Sequence, residues 1–138
     1  MDEGLARYVS KLERSMAEGD ALMAARDPAT AARTRQRCID AVMLVGAYQL
    51  YVHRELFEPM ARTGDERQRK MALELKVECI ALTDALHKGI KNFMAQEMPF
   101  DWDYLAGRIE GYNGIMRAHL AKVRALATTI DDRTPRAA

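Results

Sequence analysis

The chain has 138 residues, 49% hydrophobic and 30% charged, with a net charge of +1, the profile of one soluble globular domain with a core of its own. So small a net charge excludes the broad electropositive surface that captures nucleic acid or anionic lipid. The acidic start MDEGLARY lacks the basic and apolar regions of a secretory signal, and the longest apolar run, residues 41–48, is far too short for a bilayer span. A cytoplasmic protein without nucleic-acid or membrane partners is expected.

No segment rich in β-branched residues alternates with period two, and four segments carry the helical period instead. The first, about residues 2–24, repeats Leu5, Tyr8, Val9, Leu12, Met16 and Met23 at three- and four-residue steps. The sequence RDP (26–28) ends it. The second runs from about 28 to 62, with Pro28 in its first turn, and RTGDE (62–66) closes it. Here Gly64 suits a C-cap and Asp65 the N-cap of the third segment, 66–96. EMPFD (97–101) interrupts the pattern, Asp101 can cap the fourth segment, 102–130, and the aromatic turn MPFDWDY (98–104) is expected to plug one end of the bundle. Four amphipathic helices with short connections predict an all-α, up-down-up-down four-helix bundle over residues 1–130, with a disordered tail at 131–138.

At 100° per residue, Ile39, Val42, Met43, Gly46, Leu50, Phe57 and Met60 share one arc of the second helix, and His53 lies within it. The third helix presents Met71, Leu75, Cys79, Leu82, Leu86 and Phe93, with Glu78 at the edge and His87 on a flank. The fourth presents Trp102, Leu105, Ile109, Tyr112, Met116, Leu120, Val123 and Ala127, with His119 at the edge. Cys38 and Cys79 lack metal or redox spacing and read as reduced, buried thiols. Between 41 and 52 only Gln49 is polar. A helix apolar on all sides is buried on all sides, so Leu44, Val45, Tyr48, Tyr51 and Val52, outside the assigned core arc, are expected to form a homodimer interface.

Three stretches carry a resemblance. HRELFEPMARTGD (53–65), with its Leu56–Phe57 landmark, LARYVSKLERSMAEGD (5–20) and MRAHLAKVRAL (116–126) resemble the second, first and last helices of hemerythrin-like (HHE cation-binding) domains. The resemblance implies a four-helix bundle around a non-haem metal centre. The chain departs from it in having only three histidines and Val123 at an expected acidic position. What remains is either a degenerate site with no cofactor or one iron or other divalent ion held by His53, Glu78 and His119.

A different reading attaches to ALHKGIKNF (85–93), which resembles the signature of histidine phosphotransfer domains, with His87 as phosphoacceptor. In that family the lysine and glycine stand further along, whereas Lys88 and Gly89 follow the histidine at once. No nucleophile elbow, phosphate loop or zinc-protease motif is present, so no enzymatic activity is expected. The sequence supports a hemerythrin-like bundle acting as a binding, regulatory or interaction module, homodimeric through its second helix and open to a further protein partner.

Overall fold

The computed structural model of the chain describes residues 1–97 and 101–133. Among the described residues the fold is all-helical, with four long helices and no strand. Helix α1 (Glu3–Ala25) starts where the Asp2 carboxylate accepts the Leu5 amide at 2.7 Å, satisfying one of the unpaired first-turn donors. It ends at Arg26, in the left-handed conformation at φ 48°, and a 3₁₀ turn (Pro28–Thr30) leads into α2 (Ala31–Val52).

The chain then widens into a π turn (His53–Phe57) before α3 (Glu58–Thr63) continues the rod. Pro59 supplies the reason. It has no amide to donate to the carbonyl four residues back, and its ring crowds that carbonyl, so the preceding turn relaxes to the wider spacing. At Gly64, a β-carbon would stand 2.6 Å from the Met60 carbonyl oxygen, which makes glycine the residue that fits the close turn. Asp65 and Gln68 then form a reciprocal capping box at the start of α4 (Glu66–Met94). Helix α5 (Trp102–Arg133) begins with the Tyr104 amide donating to Asp101. It runs past residue 130, into the start of the segment expected to be a tail. Residues 98–100 of the expected aromatic plug and 134–138 of the expected tail lie outside the described residues.

Helices α1, α2, α4 and α5 each pack against two of the others. The apolar stripes expected for α1, α4 and α5 face the core: Leu5, Val9, Leu12 and Met16 meet Leu75, Cys79 and Leu82, and Met116, Leu120 and Val123. A second, smaller cluster joins Met23, Cys38, Phe93 and Leu105 towards the other end. No helix among the described residues is long and apolar enough to cross a membrane.

Helix α2 corrects the sequence reading. Leu50 is 74% exposed and Met43 70%, whereas Tyr48 and Val52 are fully buried and Val45 is 4% exposed. The arc assigned to the core therefore faces solvent at Ile39, Met43 and Leu50. Of the five residues assigned to a dimer interface, Val45, Tyr48 and Val52 lie in the core, and Leu44 and Tyr51 pack against it. Apolar residues ring this helix, so its own pattern does not single out a direction. Its neighbours choose the face that carries the fully buried Tyr48. The π turn then adds a residue to the helical repeat and brings both Leu56 and Phe57 into the core.

Candidate functional site

Of the three residues considered for a metal, two meet. His119 is fully buried, and its Nδ1 lies 2.8 Å from Glu78 Oε1 while its Nε2 lies 3.0 Å from the Tyr48 hydroxyl. The other Glu78 oxygen accepts from Lys122 Nζ at 2.9 Å. These contacts define a neutral imidazole that donates from Nδ1 to the carboxylate and accepts the Tyr48 proton at Nε2. Burial holds the His119 pKa below its ordinary value, although the Glu78 carboxylate pulls the other way. Partial burial pushes the Glu78 carboxyl up, but hydrogen bonds from Lys122 and His119 outweigh it and leave its pKa low. Desolvation raises the Tyr48 phenol well above the usual range, so its proton stays in place.

His53 stands apart. Its ring packs on Phe57, centroids 5.3 Å apart, and its Nε2 is buried without a hydrogen-bond partner among the described residues. Burial and Lys76 lower its pKa. The hydrogen bonds to Glu78 and to a tyrosine hydroxyl are made by His119 instead. A metal of the kind the resemblance implies does not fit these residues. Both His119 nitrogens and both Glu78 oxygens are already engaged, and no group of three or more His, Cys, Asp or Glu among the described residues is arranged to hold an ion. His87 lies exposed on the outer side of α4, with Lys88 exposed beside it.

A second feature lies between the two core clusters. There the four long helices enclose a cavity of about 400 Å³, partly open to solvent. Its walls are mostly apolar, with Met16 and Leu22 from α1, Cys38 and Leu44 from α2, Phe93 from α4 and Met116 from α5. The volume falls in the range of small-molecule pockets. An apolar void of this size, if dry and closed, would cost on the order of 10 kcal/mol at ~24 cal/mol per Å³, comparable to the whole stability of a domain.

Four glycines, Gly19, Gly89, Gly107 and Gly111, line the cavity from within helices, the first two half-buried and the last two exposed. A β-carbon at Gly89, Gly107 or Gly111 would meet nothing within 4 Å, and one at Gly19 would meet only Ile109, at an ordinary 3.8 Å. Glycine inside a helix costs about 0.5–1 kcal/mol relative to alanine, and no neighbouring atom of this chain demands it at these positions.

The polar groups of the wall are few. Asn113 Nδ2 donates to Asp20 at 2.9 Å, and Tyr112 donates to the Leu82 carbonyl at 3.2 Å. Burial pushes the Cys38 thiol up to about 11, so it presents a neutral S–H. Thr34, 2% exposed, has a buried hydroxyl oxygen with no hydrogen-bond partner among the described residues, an arrangement that costs about 1–3 kcal/mol unless a further group completes it. Arg108 is exposed where it lines the cavity, and Arg37 pairs with Glu18 beside it.

Sequence reasoning identified His119 and Glu78 as edge residues of their helices but missed Tyr48, because the second helix was turned the wrong way. It missed the cavity altogether. The only signal was glycine within the helical patterns, at Gly19, Gly89, Gly107 and Gly111, which acquires meaning once the helices are set side by side. No family model matches the chain, and no curated protein or solved structure is significantly similar to it.

Proposed function

We propose that this chain is an up-down-up-down four-helix bundle that binds an apolar small molecule between its helices and performs no chemistry on it. The observation that carries the reading is the cavity of about 400 Å³ between the four long helices, with mostly apolar walls that four helical glycines help to line. Thr34, whose buried hydroxyl has no hydrogen-bond partner among the described residues, stands in the wall of this cavity. The binding or regulatory role expected from the sequence thus moves away from the histidines. The Tyr48–His119–Glu78 chain fits a fixed polar pin that orients α2 against α4 and α5, since each of its hydrogen bonds ends on another helix.

The test is ligand-induced stabilisation. Saturation at 100 times Kd should add about 2.7 kcal/mol, which raises Tm by roughly 5–10 °C in a domain of this size. A panel of medium-chain alcohols, fatty acids and a fluorescent apolar dye provides the ligands. Gly89→Leu on α4 and Gly111→Leu on α5, which add bulk to the cavity wall on two neighbouring helices, should keep the fold and abolish the shift. Binding that survives both replacements, or no shift with any member of the panel, would refute the proposal.

A further inference from the structure

Nine large apolar side chains are exposed among the described residues, and six of them, Ile39, Met43, Leu50, Leu73, Val77 and Ile80, stand on α2 and α4. The two helices are neighbours and run in opposite directions: the Arg35 guanidinium lies over the Phe93 ring near one end, and His53 senses the Lys76 charge near the other. At 100° per residue these six positions turn toward the outer side of the α2–α4 pair. Solvent-exposed residues at helical spacing run down α2 as Asp40, Met43, Ala47, Leu50, Arg54, and down α4 as Glu74, Val77, Ala81, Asp84, Lys88.

The order of these stripes is informative. In α2, an acid and a base stand equally far on either side of Ala47, with Met43 and Leu50 between. In α4, Glu74 and Lys88 stand equally far on either side of Ala81. The contacts at the two ends set residue 47 of α2 level with residue 81 of α4. One two-fold axis across the helices can therefore pass beside both alanines. A second copy placed by that axis sets Asp40 against the partner's Arg54 and Glu74 against the partner's Lys88. Met43 meets the partner's Leu50, Val77 falls beside the partner's Asp84, and the small alanines allow close approach at the centre.

We propose that this face is the interface of a two-fold homodimer, in which α2 packs antiparallel on the partner's α2 and α4 on the partner's α4. A heterologous partner would not require the α2 stripe and the outer charges of the α4 stripe to complement their own reversal; a second copy does, because an isologous interface presents the same patch from both sides. The strip is two helices wide, about 20 Å, and runs about 30 Å from Gln36 to Glu58, so it offers roughly 600 Å² a side, at the lower edge of specific interfaces. A reversible dimer is the form that fits such an area. The inference stands apart from the cavity, whose residues it does not use. It keeps the homodimer expected from sequence and moves it to the opposite side of the second helix.

Sedimentation velocity from about 1 to about 500 µM should show a concentration-dependent monomer–dimer equilibrium with Kd in the micromolar range. Asp40→Arg and Arg54→Asp each set like charges face to face and should weaken the dimer at least about 10-fold. The double exchange Asp40→Arg/Arg54→Asp re-pairs the charges and should return Kd to within about 3-fold of the native value. Both positions are exposed, so far-ultraviolet circular dichroism should remain native in all three variants. A monomer throughout, single exchanges without effect, or a double exchange that fails to restore association would each overturn the proposal.

Discussion

Replacing Tyr48 with Phe removes one oxygen from a side chain with no solvent exposure and so isolates a single hydrogen bond. The atom left behind is His119 Nε2, an acceptor 3.0 Å from the missing hydroxyl on a ring that is itself fully buried. Stranding a buried acceptor costs about 1–3 kcal/mol, more than the net worth of an average hydrogen bond, because water does not replace the lost partner. Urea unfolding of Tyr48→Phe near pH 7.5 should show that loss. His119→Leu strands the Tyr48 hydroxyl in its turn and should cost at least as much. The double variant matches apolar to apolar, so it should fall short of the sum by about 0.5–3 kcal/mol.

The same site sets a pH dependence. Burial lowers the His119 pKa in the folded state, so the unfolded chain takes up its proton first as pH falls. The imidazole's contribution is therefore complete above its unfolded pKa of about 6.5 and drains away below it, by at most about 1.4 kcal/mol per pH unit. The Glu78 carboxyl is also held low. Its contribution is present above the unfolded carboxylate pKa and is lost only at more acidic pH. His119→Leu should thus flatten the slope just below about pH 6.5 and leave the acid limb, where Glu78 and other carboxylates titrate. A Tyr48→Phe variant with the native urea midpoint, together with a cycle that shows no coupling, would refute the hydrogen-bonded chain and the argument built on it.

Three further outcomes are expected. Gly89→Ala and Gly111→Ala should each stabilise the unliganded protein by about 0.5–1 kcal/mol in urea titration, since the helix gains propensity and the added carbon meets nothing. Leu56→Ala, at a side chain 5% exposed, should cost about 2–5 kcal/mol, whereas Leu50→Ala, at 74% exposure, should change monomer stability by less than about 0.5 kcal/mol; equal effects would show that α2 is turned the other way. Asp65→Ala removes half of the capping box that starts α4 and should lower stability by about 1 kcal/mol, read from Tm by calorimetry.

Much of the fold was legible because three long helices state their orientation in their own pattern. Leu5, Val9, Leu12 and Met16 form one stripe, and Leu75, Cys79 and Leu82, and Met116, Leu120 and Val123, recur in the same way, even though α4 also exposes Leu73, Val77 and Ile80. The caps at Asp65 and Asp101 were equally readable, since each needs only local backbone donors. The second helix read as one continuous segment from about 28 to 62, and the π turn ahead of Pro59 emerged only in the structure.

What the sequence by itself determined, then, is the helical class, the positions of the breaks and the inner faces of α1, α4 and α5, because periodicity and capping act over one or two turns. The rotation of α2 was decided only in the tertiary structure. With apolar groups on every side, its inner face depends on which side chains complete the surfaces of its neighbours, and Tyr48 does so by reaching His119 on α5. The cavity belongs to the same class of feature. Gly19, Gly89, Gly107 and Gly111 come from three helices and are locally unfavourable, and they border one space only when the four helices are brought around it.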